Sequence, residues 1–274
     1  WSDGSECRYC NFGLAQKNLD TSAVIQETLY TDERAREVGE LVKAAIEEGI
    51  RPCFITSSGD LPGEGVTAST IRIIKAVKEA TGRDTLMGCV NLAVPDDFSE
   101  IDRLYEAGTR NIIMNQEVWH PDIFKAICPG KAKRIGRERW MEGLLHAVKV
   151  FGPGNVFNGF VCGLEEKENY IEAAQWCSSN GIVPIFQPWY PQKGSRLEDH
   201  RPPRLNWMMD VHEKCQEIAI SNLPLMLTRE FNNSDKVGCY RCIGVIICWD
   251  DLRMRLGDFN KVQPRDKVEQ EAAV

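Results

Sequence analysis

The stretch VFNGFVCGLEEKENYIEAAQWCSSNGIVPIFQ, residues 156–187, decides the fold. It opens on the apolar run 156–162 and closes on a second, 182–187, and residues 167–178 between them read as a helix. Short runs of this kind are strands buried on both faces. Two strands joined by a helix must lie parallel, because only a long crossover returns the chain to the same edge. The unit recurs upstream. Residues 31–46 have apolar positions at helical spacing, with Thr31 and Asp32 at the start and acids in the first turn. The run 52–56 follows as a strand, and helix 68–80 leads to strand 85–91. Helix 98–107 leads to strand 111–115, and helix 139–150 returns the chain to 156. Helix 205–219 and a strand at 224–227 complete the series. This rhythm predicts an α/β fold, a (β/α) barrel of TIM-like type, open or closed.

The chain has 274 residues, 43% of them hydrophobic, which suits one large core. Residues 1–222 form the expected barrel, and 223–274 a separate C-terminal segment. A net charge of -7 argues against nucleic-acid or anionic-membrane partners, both of which need a basic surface. The longest apolar runs, such as 182–186, fall far short of the roughly 20 residues of a membrane span. With no signal-like segment in view, the expected location is the cytoplasm.

Eleven cysteines are many for a cytosolic chain of this size. An odd count with two Cys-x-x-Cys pairs favours metal or cluster ligation over disulfides. Cys7-Arg-Tyr-Cys10 is the first pair; Cys239, Cys242 and Cys248 form a Cys-x2-Cys-x5-Cys array near the other end. The two pairs together also match a zinc ribbon, so zinc and cluster both stand as readings. Cys53, Cys89 and Cys162 lie in strand-like runs, where a free thiol is a small hydrophobe.

In barrels of this kind ligands sit where strands end and loops begin. Ser57, Asn91, Glu117, Glu166 and Gln187 fall at that edge. Ser57-Ser58-Gly59-Asp60 is either an ordinary turn or a grip for an ammonium group. Asn115-Gln-Glu117 places a carboxylate beside two amides, a set that accepts from a ribose diol or an ammonium. Arg137 and Arg139 offer a fork for a carboxylate. In Gly159-Phe-Val161-Cys-Gly163-Leu-Glu-Glu166 the glycines clear one face of a strand, as a flat ring lying close to the backbone requires. Trp119, Trp189, Tyr190, Trp207 and His212 are candidates to line a cavity, although aromatic residues at a barrel mouth commonly pack loops.

Taken together these segments resemble the radical S-adenosylmethionine (SAM) superfamily, and within it the biotin-synthase-like group with its hydrogenase maturases and two-component lipoyl synthases. The resemblance covers nearly all of positions 5–200. It implies a 4Fe-4S cluster held by Cys7 and Cys10, with SAM bound through Ser57, Ser58, Gly59, Asp60, Asn115, Glu117, Arg139, Gly159, Val161, Gly163, Glu166 and Gln187. It implies reductive cleavage of SAM to a 5′-deoxyadenosyl radical that abstracts hydrogen, and an electron donor such as ferredoxin or flavodoxin. The usual spacing is Cys-x3-Cys-x2-Cys, and Asp3 stands where the first cysteine belongs. The expectation is that a third thiolate and a first strand precede Trp1; otherwise the cluster is incomplete.

Cys239, Cys242 and Cys248 read as ligands of a second iron-sulfur cluster, a zinc site, or residues of a partly buried tail. A second cluster resembles the sulfur source of biotin and lipoyl synthases. The leading expectation is therefore a sulfurtransferase-like enzyme of cofactor biosynthesis, acting on a small molecule or a carrier-bound acyl chain, with a second radical SAM subunit as a candidate partner. Radical methyl or C–C bond chemistry of the hydrogenase-cofactor kind is the alternative within the superfamily. A zinc- or cluster-binding partner subunit without catalysis of its own is the alternative outside it.

Overall fold

The computed structural model describes residues 4–11, 31–49, 53–56, 65–86 and 88–227. Among these residues five strands, β1 (Cys53–Thr56), β2 (Gly88–Asn91), β3 (Ile112–Ile113), β4 (Val156–Cys162) and β5 (Ile182–Pro188), form one sheet in sequential order. All four neighbouring pairs are parallel. The intervening chain carries α1 (Asp32–Glu47), α2 (Gly65–Thr81), α3 (Ser99–Ala107), the short α4 (Pro121–Ile127) and α5 (Pro129–Arg134), α6 (Arg137–Phe151), α7 (Lys167–Ser179) and α8 (Leu205–Asn222). This is the partial (β/α) barrel that the rhythm of the sequence predicts. Among the described residues no helix is long and apolar enough to cross a membrane.

Local chemistry sets the helix ends. The Thr31 hydroxyl accepts from Arg34 N at 3.1 Å, and Asp32 and Glu33 occupy the positive first turn of α1. α1 then lies directly on α2. A Cβ on Gly39 would stand 2.7 Å from the carbonyl oxygen of Ala76, so the close approach of the two helices requires glycine there.

Strand alternation divides the interior into two apolar layers. Val90, Ile112, Val156, Phe160, Ile182 and Phe186 face the helices and pack with Trp140, Leu144, Tyr170 and Val211. Cys89, Ile113, Phe157, Val183 and Ile185 face the other way, into the barrel, where Ala219, Leu223 and Met226 close over them. One correction to the sequence reading falls here. Residues 224–227 are not a strand but a 3-10 helix, with Met226 N donating to Leu223 O at 3.1 Å. Leu223 and Met226 are three apart, and one tight turn brings both onto the same side.

His212 on α8 is buried, its Nδ1 has no partner among the described residues, and burial pushes its pKa down to about 4. The folded value lies below the unfolded one, so this contribution is complete above about pH 6.5 and is lost as pH falls toward 4. Unfolding measured at pH 7.5 and pH 5 should show about 2 kcal/mol lost to this group. His212→Leu should reduce the pH dependence by that amount; an unchanged dependence would contradict the buried neutral imidazole.

Candidate cofactor site

The segment 4–11 is fastened across the ends of the strands. Arg8 N donates to Ile127 O (2.8 Å), Gly130 N to Ser5 O (2.9 Å) and Leu197 N to Arg8 O (3.2 Å). Asn11 N reaches Gln192 Oε1 at 3.4 Å, and the Tyr9 ring meets Trp189 edge-on at 6.3 Å. Between these ties Cys10 N donates to Cys7 O at 3.0 Å, a turn that places both thiols on one short loop. Cys7 is buried and Cys10 half-buried, and both pack with Val118, Phe124 and Cys128.

The thiols of this fold divide by environment. Burial pushes Cys162, Cys177 and Cys215 up. Cys7 goes down, because the Cys128 thiol hydrogen-bonds to it and the Lys131 ammonium lies near, outweighing burial and the Glu117 charge. Burial keeps Cys128 itself protonated. Thiolate character is what metal ligation needs. Among the described residues no group of three His, Cys, Asp or Glu is placed to hold a metal ion, so the loop fits a cluster through two thiolates and not through a complete set.

Glu117 is turned toward this loop by a break in register. Ile113 pairs with Phe157, but Glu117 bridges Phe160, so the end of β3 carries one residue more than β4 alongside it. This is a β-bulge, a device that re-aims side chains near sites. Glu117 adopts φ 79°, alone among the described non-glycine residues in the left-handed region. Its carboxylate accepts from Lys131 Nζ at 2.7 Å and from the Tyr9 hydroxyl. Burial would lower the pKa of Lys131, but Glu117, Cys7 and Cys128 outweigh it and hold the ammonium charged.

The structure sorts the remaining candidates. Asn91, Asn115, Gly159, Val161 and Gln187 take the inward-facing positions at the C-terminal ends of their strands, by the same alternation that faces Cys89, Phe157 and Ile185 inward. The Asn115 side chain accepts from Gly159 N at 3.0 Å and fills the space a Cβ on Gly159 would claim, at 2.5 Å. Gly163 has φ 103°, with Pro203 where its Cβ would stand. Both glycines thus have a packing reason that the sequence reading did not supply. Arg139 donates to the Asp96 carbonyl and lies against Phe98, and Arg137 donates to Trp119 O at 2.9 Å with its guanidinium over the Trp119 ring. The structure brings neither arginine to the cysteine loop. Trp119, Trp189 and Trp207 pack against neighbouring rings, and Tyr190 is exposed. Ser57, Ser58, Gly59 and Asp60, and Cys239, Cys242 and Cys248, lie outside the described residues.

Glu166 is exposed, while its neighbour Glu165 is buried and accepts from Trp119 N (2.6 Å) and His120 N (2.9 Å). Tyr170 shapes that turn. Its hydroxyl accepts from the amides of Gly163, Leu164 and Glu165 at 3.0, 3.2 and 3.2 Å and donates to Val161 O at 2.8 Å. Sequence reasoning missed Tyr9, Cys128, Lys131, Glu165 and Tyr170. The available signals were the aromatic inside the cysteine pair and a lysine three places beyond Cys128.

A parallel (β/α) sheet with a cysteine pair laid across its C-terminal ends is the fold that the resemblance to the radical SAM superfamily implies, and the comparisons bear that fold out. By sequence the chain is similar to bacteriochlorophyllide c C-7(1)-hydroxylase of Chlorobaculum limnaeum, 30% identical over 226 residues, which are 79% of this chain and 56% of that protein. Its fold is similar to that of methylornithine synthase PylB (16% identity, TM-score 0.52, 70% of this chain and 54% of that one). The same holds for HydG, a maturase of the FeFe-hydrogenase (15%, 0.54, 70% and 44%). Coproporphyrinogen III oxidase HemN of Escherichia coli, a radical SAM enzyme, matches at 13% identity, TM-score 0.52, 79% and 50%. The chain thus spans about half the length of these proteins. No family model matches it.

Tyr170→Phe should cost about 2–3 kcal/mol, because three amides would lose their shared acceptor in a buried turn. The urea midpoint measures it; an unchanged midpoint would mean that the turn does not depend on the hydroxyl.

Proposed function

We propose that the chain is the catalytic core of a radical SAM enzyme that takes hydrogen from an unactivated C–H bond. The observation that carries this reading is the meeting of the Cys7–Cys10 loop with Glu117 at the C-terminal mouth of a parallel barrel. When bound, a 4Fe-4S cluster and SAM supply a 5′-deoxyadenosyl radical. Cys7 and Cys10 hold the iron side. Glu117 accepts from the SAM ammonium or hydroxyls, and Ser57, Ser58, Gly59 and Asp60, which follow β1 in sequence, grip the amino-acid portion. Asn91 and Gln187 face the ligand from the inner rim. The floor of Phe157, Val183, Leu223 and Met226 excludes water, which a carbon radical requires. A ferredoxin or flavodoxin supplies the electron.

For the product, sulfur insertion draws its support from Cys239, Cys242 and Cys248 as a sulfur-donating second cluster. A second reading has one observation in its favour: the curated relative is named for hydroxylation of a chlorophyll-type ring. That similarity supports hydroxylation rather than sulfur insertion as the overall outcome, on a substrate of the bacteriochlorophyllide kind.

Anaerobically reconstituted protein should release 5′-deoxyadenosine from SAM only with reductant, and Cys7→Ala and Cys10→Ala should each abolish it. Cleavage that survives either substitution would contradict the assigned thiolates. Reconstitution with labelled sulfide separates the two products, because label reaches product only in sulfur insertion.

A further inference from the structure

Lys131 is a buried, closely held charge, and the sequence pattern gives it no role. It sits on α5, 9% exposed, and each of its contacts is made inside the protein. Nζ donates to the Asn115 carbonyl at 2.6 Å and to Glu117 Oε1 at 2.7 Å, and it lies over the Trp140 ring, 4.7 Å from the centroid. An ammonium has three N–H donors, so two oxygens and an aromatic face use it fully. It has no donor left for a ligand.

Its position explains the bulge. Where β3 would continue its ladder with β4, the Asn115 carbonyl goes to Lys131 and the Met114 carbonyl to Trp140 Nε1 at 3.1 Å. Gly159 N, deprived of a backbone acceptor, takes Asn115 Oδ1 at 3.0 Å instead. The ladder resumes one residue late, with Glu117 N donating to Gly159 O at 2.8 Å and Val161 N to Glu117 O at 2.7 Å. A left-handed backbone at a glutamate is strained, and it persists only where its surroundings hold it. Lys131 supplies that hold from both sides of Gln116.

We infer that Lys131 is a positioning residue for SAM: by bridging the Asn115 carbonyl and the Glu117 carboxylate it sets the bulge at the end of β3 and turns Glu117 toward the cysteine loop. This rests on the reading of Glu117 as a SAM contact. It adds that the contact exists only because a buried cation selects the backbone conformation that presents it.

The test is the dissociation constant for SAM, measured by equilibrium dialysis on reconstituted protein and normalised to bound iron, for Glu117→Gln, Lys131→Met and the double variant. Glu117→Gln should weaken SAM about tenfold, as loss of a charge-assisted contact does. Lys131→Met should weaken it at least as much, and the double variant no more than the worse single one, because both act through one carboxylate. Leaving Glu117 buried without its partner endangers folding. Lys131→Gln, which keeps a neutral donor beside the carboxylate, therefore runs alongside and should also lose SAM affinity while its melting temperature stays near the parent's. If Glu117→Gln weakens SAM and neither Lys131 variant does, the positioning role is overturned and the SAM contact stands. If Glu117→Gln binds SAM as the parent does, the SAM contact itself fails, and the inference with it.

Discussion

A strand in a parallel sheet sends alternate side chains to opposite faces, and this period of two governs the molecule. One set, from Val90 to Phe186, must satisfy the helices; the other must fill a barrel interior that is apolar below and polar above. Phe157, Gly159 and Val161 on β4 run along one inward line, from the closed floor to the mouth. The proposed cofactor residues need no separate scaffold, because they continue the strands beyond the point where the packing is complete.

The bulge at the end of β3 is a controlled violation of that period. One extra residue shifts everything after it, so a regular β3 would present the carboxylate at position 117 differently. The violation is costly: a left-handed glutamate, a ladder interrupted at two carbonyls and a buried ammonium. Removing both members of a buried ion pair commonly leaves a protein no less stable. Stability alone therefore gives weak grounds for placing Lys131 and Glu117 here, and the direction in which the carboxylate faces gives stronger ones. Tyr9, whose phenol burial and the neighbouring anions keep protonated, adds a donor from the cysteine loop itself.

Most of the fold was legible in the sequence. β4 spans the residues that its apolar run marked, Val156–Cys162, and α7 differs from its expected end by one residue. Such runs are bounded by polar turns, and periodicity alone locates them. Residues 224–227 misled because four apolar residues are short enough for either a strand or a single tight turn, and the turn packs Leu223 and Met226 together on the inward layer. At the site, sequence order identified the strand ends and so the Asn115–Glu117 corner. It did not distinguish Glu165 from Glu166, because which of two adjacent acids is buried depends on the Trp119 and His120 amides that it meets. Cys128 and Lys131 were illegible for the same reason. They join Cys7 and Glu117 through contacts between segments more than ten residues apart, and no local pattern encodes those.

The central claim is that the Cys7–Cys10 loop and the Glu117 corner together hold a SAM-binding iron-sulfur cluster. The most direct measurement is the electron paramagnetic resonance spectrum of the anaerobically reconstituted and reduced protein, with and without SAM. The account predicts a 4Fe-4S signal whose g-values shift when SAM is added. Bound zinc without acid-labile sulfide, or a cluster signal that SAM leaves unchanged, would contradict it.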